Sequence, residues 1–325
     1  MCESLGMPLK TAHPTTMLQI PNDKYTTLED FIASIIAFGK DNPNAELYEE
    51  SFRDLSDEIL QSIRADANAS TEPKPRLYRP SANLSCQGIS HFIKELVPVA
   101  PIPAATRPVL RMGHTLHAET YAAFKSACPE GIRAIIEIGI DLPAWWPQEN
   151  SRNTGTIDMI LYFEKELLTD YLSEDLLATM PDKIIADVKS TSFFGFKKMK
   201  TQDYEVGGND FGYISQLAIY SEVENTLDAG ALLIGVNRNS PQEPPCVRFI
   251  SAERLRDEAA KVQGRVQEGI VWKPEKFEDN PGTTGVRVIK KASDFVCGNW
   301  ATGKEGYCPY TKQCMEKRKL NGYNA

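Results

Sequence analysis

Nowhere in the 325 residues is there an apolar run approaching the roughly 18 residues that a membrane-spanning helix needs. The start, Met1-Cys2-Glu3-Ser4-Leu5-Gly6, lacks the basic patch and apolar stretch of a secretory signal. A cytoplasmic protein without a membrane partner is therefore expected. An excess of positive charge is also missing, since 36 Lys and Arg face 44 Asp and Glu, for a net charge of −8. That excludes coating nucleic acid by bulk charge, but it leaves room for a local basic groove that grips phosphates. There is no G-x-x-x-x-G-K-[S/T] phosphate loop, so any helicase working with this chain is expected to be a separate polypeptide. Internal repeats and low-complexity tracts are absent as well. The seven cysteines are an odd number, which disfavours a fully paired disulfide framework. In a reducing compartment, clustered cysteines point instead to metal or redox chemistry.

What is present is an ordinary globular composition, 42% hydrophobic and 25% charged, with length for two domains or for one large domain and an extension. Residues 1–75 read as a helical N-terminal extension and 76–325 as the main domain. Within the extension, residues 1–25 hold several turn formers and read as a flexible tail. Thr27 is placed to cap a helix beginning at Leu28, and a second 3.6-residue pattern runs from Glu50 to Ile63. The stretch Ala67 to Pro75 reads as a linker, Ser81 as the cap of a short helix, and the proline-rich 98–108 as irregular. Then follow a helix over 109–127, strands over 132–142, 156–163 and 183–190, a helical excursion over 164–180, a helix over 212–223, a buried strand over 229–236 and a long helix over 251–271. This order predicts an α/β core with a central mixed sheet flanked by helices.

The chemistry concentrates on two strands. In Lys183-Ile184-Ile185-Ala186-Asp187-Val188-Lys189 the strand period places Asp187 and Lys189 on one face. Gly155-Thr156-Ile157-Asp158 sets another acid among apolar residues. Buried acids are costly unless paired or metal-bound, and two carboxylates with water suit Mg²⁺ or Mn²⁺. An ordinary buried Asp–Lys pair reads equally well from the tripeptide alone. Downstream, Gln216 and Tyr220 stand four apart, on one face of a helix.

A glycine-plus-acid strand, a D-x-K strand and a Q-x-x-x-Y helix, in that order, resemble the PD-(D/E)xK nuclease superfamily and, within it, the RecB-like exonucleases. The resemblance spans roughly residues 80–314. It implies a restriction-endonuclease-like core. The family's G-x-x-x-H helix motif matches Gly113 and His117, with Glu119 and Tyr121 following and His114 off the family's spacing. The implied metal ligands are His117, Asp158, Asp187 and the Val188 carbonyl. The implied catalytic set is Asp158, Asp187, Lys189, Gln216 and Tyr220, and Glu137 resembles an acid near the site. The implied activity is Mg²⁺- or Mn²⁺-dependent hydrolysis of DNA, on single strands or ends, in recombination, repair or phage DNA processing. Several relatives hold a four-iron cluster on one cysteine ahead of the core and three after it. Cys86, Cys297, Cys308 and Cys314 match that placement, although the gap from Cys297 to Cys308 is longer than the family's usual one. Four thiolates also suit zinc, the second choice.

From Lys189 to Lys200, four lysines and three phenylalanines occur in twelve residues without an acid. Lys197, Lys198 and Lys200 are expected to meet phosphates, and Phe194 and Phe196 to stack on unpaired bases. The alternative is a loop whose rings pack underneath. Two further functions compete with the nuclease. One is an inactive nuclease fold that binds DNA or assembles with partners, which leaves the full Asp158, Asp187 and Lys189 set without a purpose. The other is a regulator built on the cysteines, which leaves the acidic centre unexplained.

Overall fold

The computed structural model describes residues 24–68, 72–75, 92–99, 106–147, 151–205 and 212–267, with residues 77, 80, 101, 298–299, 304–305, 310, 313 and 316 besides. The tail up to residue 23, the helix expected at Ser81 and the cysteines Cys86, Cys297, Cys308 and Cys314 lie outside the described residues.

The chain opens with α1 (Leu28–Asp41) and α2 (Ala45–Ala67). Thr27 caps α1 as expected, its hydroxyl accepting from the Asp30 N–H at 3.2 Å. Next come α3 (Arg107–Ala127), β1 (Ile132–Asp141), β2 (Thr154–Phe163), α4 (Glu174–Thr179) and β3 (Lys183–Thr191). The remainder is α5 (Phe193–Thr201), α6 (Tyr213–Val223), β4 (Ala231–Asn237), β5 (Cys246–Ile250) and α7 (Ala252–Gln267). The five strands lie side by side in the order β1-β2-β3-β4-β5. Every neighbouring pair is antiparallel except β3 and β4, which run parallel. A parallel pair needs a crossover, and α5 and α6 supply it.

Helices cover both faces of this sheet. On one face, Phe31, Ile32, Ile35 and Ile36 of α1 and Leu116 and Phe124 of α3 pack on Met159, Ile184, Val188 and Ile234. On the other, Ile214, Leu217 and Tyr220 of α6 and Leu255 and Val262 of α7 pack on Ile160, Ile185 and Leu233. The helix α1 is thus part of the core that carries the sheet. Strand β4 is buried at every position, as a central strand covered on both sides must be.

Three segments differ from expectation. Residues 193–201, expected to face DNA with a loop as the alternative, form α5, because Ser192 caps it through its hydroxyl and Phe196 and Met199 give it a buried face. Strand β5 was not foreseen, being short and directly preceded by Pro244-Pro245. In the expected linker and proline-rich stretch, Lys74–Pro75 pairs with Pro98–Val99, and α3 starts at Arg107 with Pro108 in its first turn, where a missing N–H costs nothing.

The helices α1 and α3 approach closely at Gly39, where a Cβ would collide with the Ala123 carbonyl. Gly39→Ala is expected to destabilise the protein by about 1–3 kcal/mol, the usual cost of overpacking. A urea-unfolding midpoint equal to that of the unmodified protein would show that the two helices separate freely.

Candidate functional site

The site opens where β2 and β3 cease to pair. Their ladder runs from Tyr162 opposite Lys183 to Met159 opposite Ala186 and stops. One step on, the Val188 N–H donates to Asp158 Oδ2 at 2.8 Å. A buried main-chain donor requires an acceptor, and here a carboxylate takes the place of a strand carbonyl. Across from Asp158 on β1, Glu137 adopts φ 53° and interrupts the pairing between Ile136–Met159 and Ile138–Ile157. Such a left-handed residue costs roughly 1–3 kcal/mol and marks a deliberate irregularity. The side-chain alternation slips there, since Ile136 and Met159 pack on the α1 side of the sheet whereas Ile138 and Ile157 pack on the α6 side. Asp158 sits at this slip.

Asp187 and Lys189 share the α6 face, as the strand period predicts. Lys189 Nζ donates to Asp187 Oδ1 at 2.7 Å and to Gln216 Oε1 at 3.2 Å. Asp187 is only 2% exposed, and its Oδ2 is buried without a hydrogen-bond partner. Burial pushes the Asp187 carboxyl up to about 7, and Lys189 pulls it down while the neighbouring Asp158 carboxyl adds to the rise. Burial alone would lower Lys189, but the Asp187 and Asp158 carboxylates outweigh it and hold the ammonium above its ordinary value. The ammonium also lies 5.4 Å from the Tyr213 ring centre, within cation–π range. The lysine is thus held charged and fixed from three sides.

From the opposite face, α3 brings His117. Its Nδ1 is 3.9 Å from Asp158 Oδ2 and 3.3 Å from the Tyr121 hydroxyl. A hydrogen bond with the Val188 backbone favours the charged ring, so the acceptor is the Val188 carbonyl, yet burial outweighs this and lowers the His117 pKa. A neutral imidazole is the form that binds metal. Gly113 permits this approach, because a Cβ there would stand 3.2 Å from Ser190 Oγ, next to Lys189.

The glycine of the second motif has a similar role. A Cβ on Gly155 would lie 2.8 Å from Tyr220 Cε1 and 3.0 Å from its hydroxyl, so the tyrosine ring rests on the bare backbone of β2. Burial pushes the Tyr220 phenol up to about 12, keeping its hydroxyl protonated as a donor.

His117, Asp158, Asp187 and the Val188 carbonyl therefore converge, as do Lys189, Gln216 and Tyr220. Two carboxyls side by side, one with an orphaned buried oxygen, suit a hard divalent cation. The His117 nitrogen and Asp158 Oδ2 are, however, engaged with other partners. No group of three or more His, Cys, Asp and Glu side chains already set around one point occurs among the described residues. Of the other candidates, Glu137 and His114 are exposed at the rim, and Glu119 faces Lys40 on α1, whose pKa burial lowers against the pull of that carboxylate. Of the segment expected to face DNA, Phe196 is only 2% exposed and packs in the core, so its ring is unavailable to bases. Lys200 pairs with Glu243 at 2.5 Å, while Lys197, Lys198 and Phe194 are exposed. Tyr213 was missed. It stands three residues before Gln216, on the same helical face, and that spacing was available as a signal.

Asp187 binds a proton in the fold that it has lost in the unfolded chain between about pH 4 and about pH 7. Its contribution is thus complete below pH 4 and disappears as pH rises through 7. Compared with Asp187→Asn, the unmodified protein without divalent metal should lose stability across this window at up to about 1.4 kcal/mol per pH unit. Parallel unfolding curves for the two proteins would refute the raised carboxyl. No protein-family model matches the chain and no curated protein matches it, so the chemistry of this centre rests on its own geometry.

Proposed function

We propose that this chain is a metal-dependent deoxyribonuclease with a restriction-endonuclease-like core of the RecB-like kind. The observation that carries the reading is the meeting of Asp158, Asp187 and Lys189 at the parted strands, with Asp187 Oδ2 buried and unpaired. Asp158, Asp187, the Val188 carbonyl and His117 would hold Mg²⁺ or Mn²⁺. When bound, such an ion lowers the pKa of a water ligand and neutralises charge on a phosphate. Lys189 directs its ammonium at the attacking water or at the phosphoryl oxygen on which charge develops. Gln216 and Tyr213 keep that ammonium in place, and Tyr220 lines the groove from α6. The reaction is hydrolysis. Water oxygen bonds to phosphorus, the phosphorus–ester oxygen bond breaks, and the leaving oxygen takes a proton.

The four-cysteine site belongs to the same proposal, on sequence placement alone. Cys86, Cys297, Cys308 and Cys314 would hold a four-iron cluster, with zinc the second choice. A cluster site would tie residues from both sides of the core together and so act structurally. The partners proposed are DNA, as single strands or ends, and a separate helicase or recombination protein. No helix among the described residues is long and apolar enough to cross a membrane.

Linear and circular DNA, single- and double-stranded, incubated with Mg²⁺ or Mn²⁺, provide the test. Cleavage is expected to need a free end, and Asp187→Ala and Lys189→Ala should each reduce it by about 10²–10³-fold or more. Full activity in either variant rejects the assignment. Protein isolated without air should be brown, with broad visible absorption, and a colourless protein with stoichiometric zinc would reject the iron–sulfur site.

A further inference from the structure

The mechanism leaves one prominent feature of the surface unused. Phe193 and Phe194 begin α5, and they are 52% and 82% exposed. Their ring centres are 5.6 Å apart and their planes 78° to one another. One exposed aromatic residue is unremarkable, but this pair is mounted rigidly. The Phe193 N–H donates to Asn239 Oδ1 at 2.9 Å, and the Gly195 N–H donates to Ser192 Oγ at 3.3 Å. Asn239 is in turn fixed, its N–H donating to Asn237 Oδ1 at 3.1 Å. The pair thus stands on the end of β3, four residues beyond Lys189, braced by the turn after β4.

The charges nearby are mixed, since Glu243 accepts from Asn237 Nδ2 at 2.9 Å and pairs with Lys200, but two cations stand outside that pair. There is no acid in the first turn of α5, and Lys197 is exposed on its next turn. The half-buried Arg238 lies between Asn237 and Asn239, with its N–H donating to Thr191 O at 2.9 Å. Its guanidinium has no ion-pair partner among the described residues. Burial raises the Tyr213 pKa and the Arg238 charge opposes it, and the Lys189 ammonium lies 5.4 Å from the centre of the same ring. The crossed rings at the start of α5 and the Arg238 side of the turn after β4 are thus joined through the ends of β3 and β4.

We infer that Phe193 and Phe194 form a stacking step for unpaired bases of single-stranded DNA, with Arg238 holding a phosphate of the same strand. This rests on the nuclease reading for the destination of the strand. Two rings at nearly a right angle cannot both stack in one continuous column. One ring face receives a base while the other stands across the column and stops it. A duplex offers no free base face except at its two terminal pairs, so along its length the step favours separated strands. Stacking is indifferent to sequence, because every base has a π face.

Binding of a fluorescent oligothymidylate and of a blunt duplex, followed by anisotropy with Ca²⁺ in place of Mg²⁺, tests the inference. The double variant Phe193→Ala/Phe194→Ala should lose about tenfold or more in affinity for the single strand, as removal of base stacking does elsewhere. Its affinity for the duplex should not change, and neither should its unfolding midpoint, since both rings are exposed. Phe194→Trp keeps a ring and should retain single-strand affinity. Equal losses on both DNAs, or none on the single strand, overturn the inference. If ring-dependent binding is found in a protein that cuts no DNA, the step stands and the nuclease reading falls. If wild type cuts DNA and the double variant binds single strands undiminished, the nuclease stands and the step falls.

Discussion

Where β2 and β3 part, the Val188 N–H is left without a strand carbonyl, and Asp158 supplies the oxygen instead. The rest of the centre depends on that substitution. Had the ladder continued, Asp158 and Asp187 would be held in register on neighbouring strands, and nothing from the α3 side could reach between them. Because it stops, His117 from one face and the Asp187–Lys189 pair from the other come to the same opening. The left-handed Glu137 on β1 and the slipped alternation of β2 belong to this opening, for they turn Asp158 out of the regular pleat.

The second constraint is electrostatic. A carboxyl as buried as Asp187 would ordinarily be neutralised by a proton or removed. Lys189 stabilises its charge, and Asp158 opposes it. The lysine therefore offsets one buried carboxylate while the second acid opposes its ionisation. The helix α6 makes the arrangement stable, since Gln216 takes a second hydrogen bond from the ammonium and Tyr220 seats the helix on Gly155. The glycines of the two motifs therefore set distances. Gly113 sets the gap between α3 and β3, and Gly155 the gap between α6 and β2.

Much of this was legible in the sequence. Alternation placed Asp187 and Lys189 together, helical spacing placed Gln216 with Tyr220, and the run from Ala229 to Val236 announced a covered strand, which starts at Ala231. The segment after Lys189 was not legible. Its aromatic and lysine residues carry no strong helical period over nine residues, and only the Ser192 cap and the burial of Phe196 and Met199 distinguish α5 from a loop. Strand β5 was hidden because its pairing with β4 is a tertiary fact, unrelated to any local preference. Glu137 could be named as an acid near the site, but its value as a break in the strand depends on φ, which side-chain chemistry does not reveal.

The double engagement of Asp158 has a practical side. Its carboxylate is a charge in the centre and also the acceptor for a main-chain donor that nothing else reaches. Truncating it would leave that N–H unsatisfied, and the parted strands would shift to find another oxygen. Asparagine in its place would keep an oxygen for the amide and remove the charge. Removing the charge from an otherwise undistorted centre is therefore better served by an amide at this position than by an alanine.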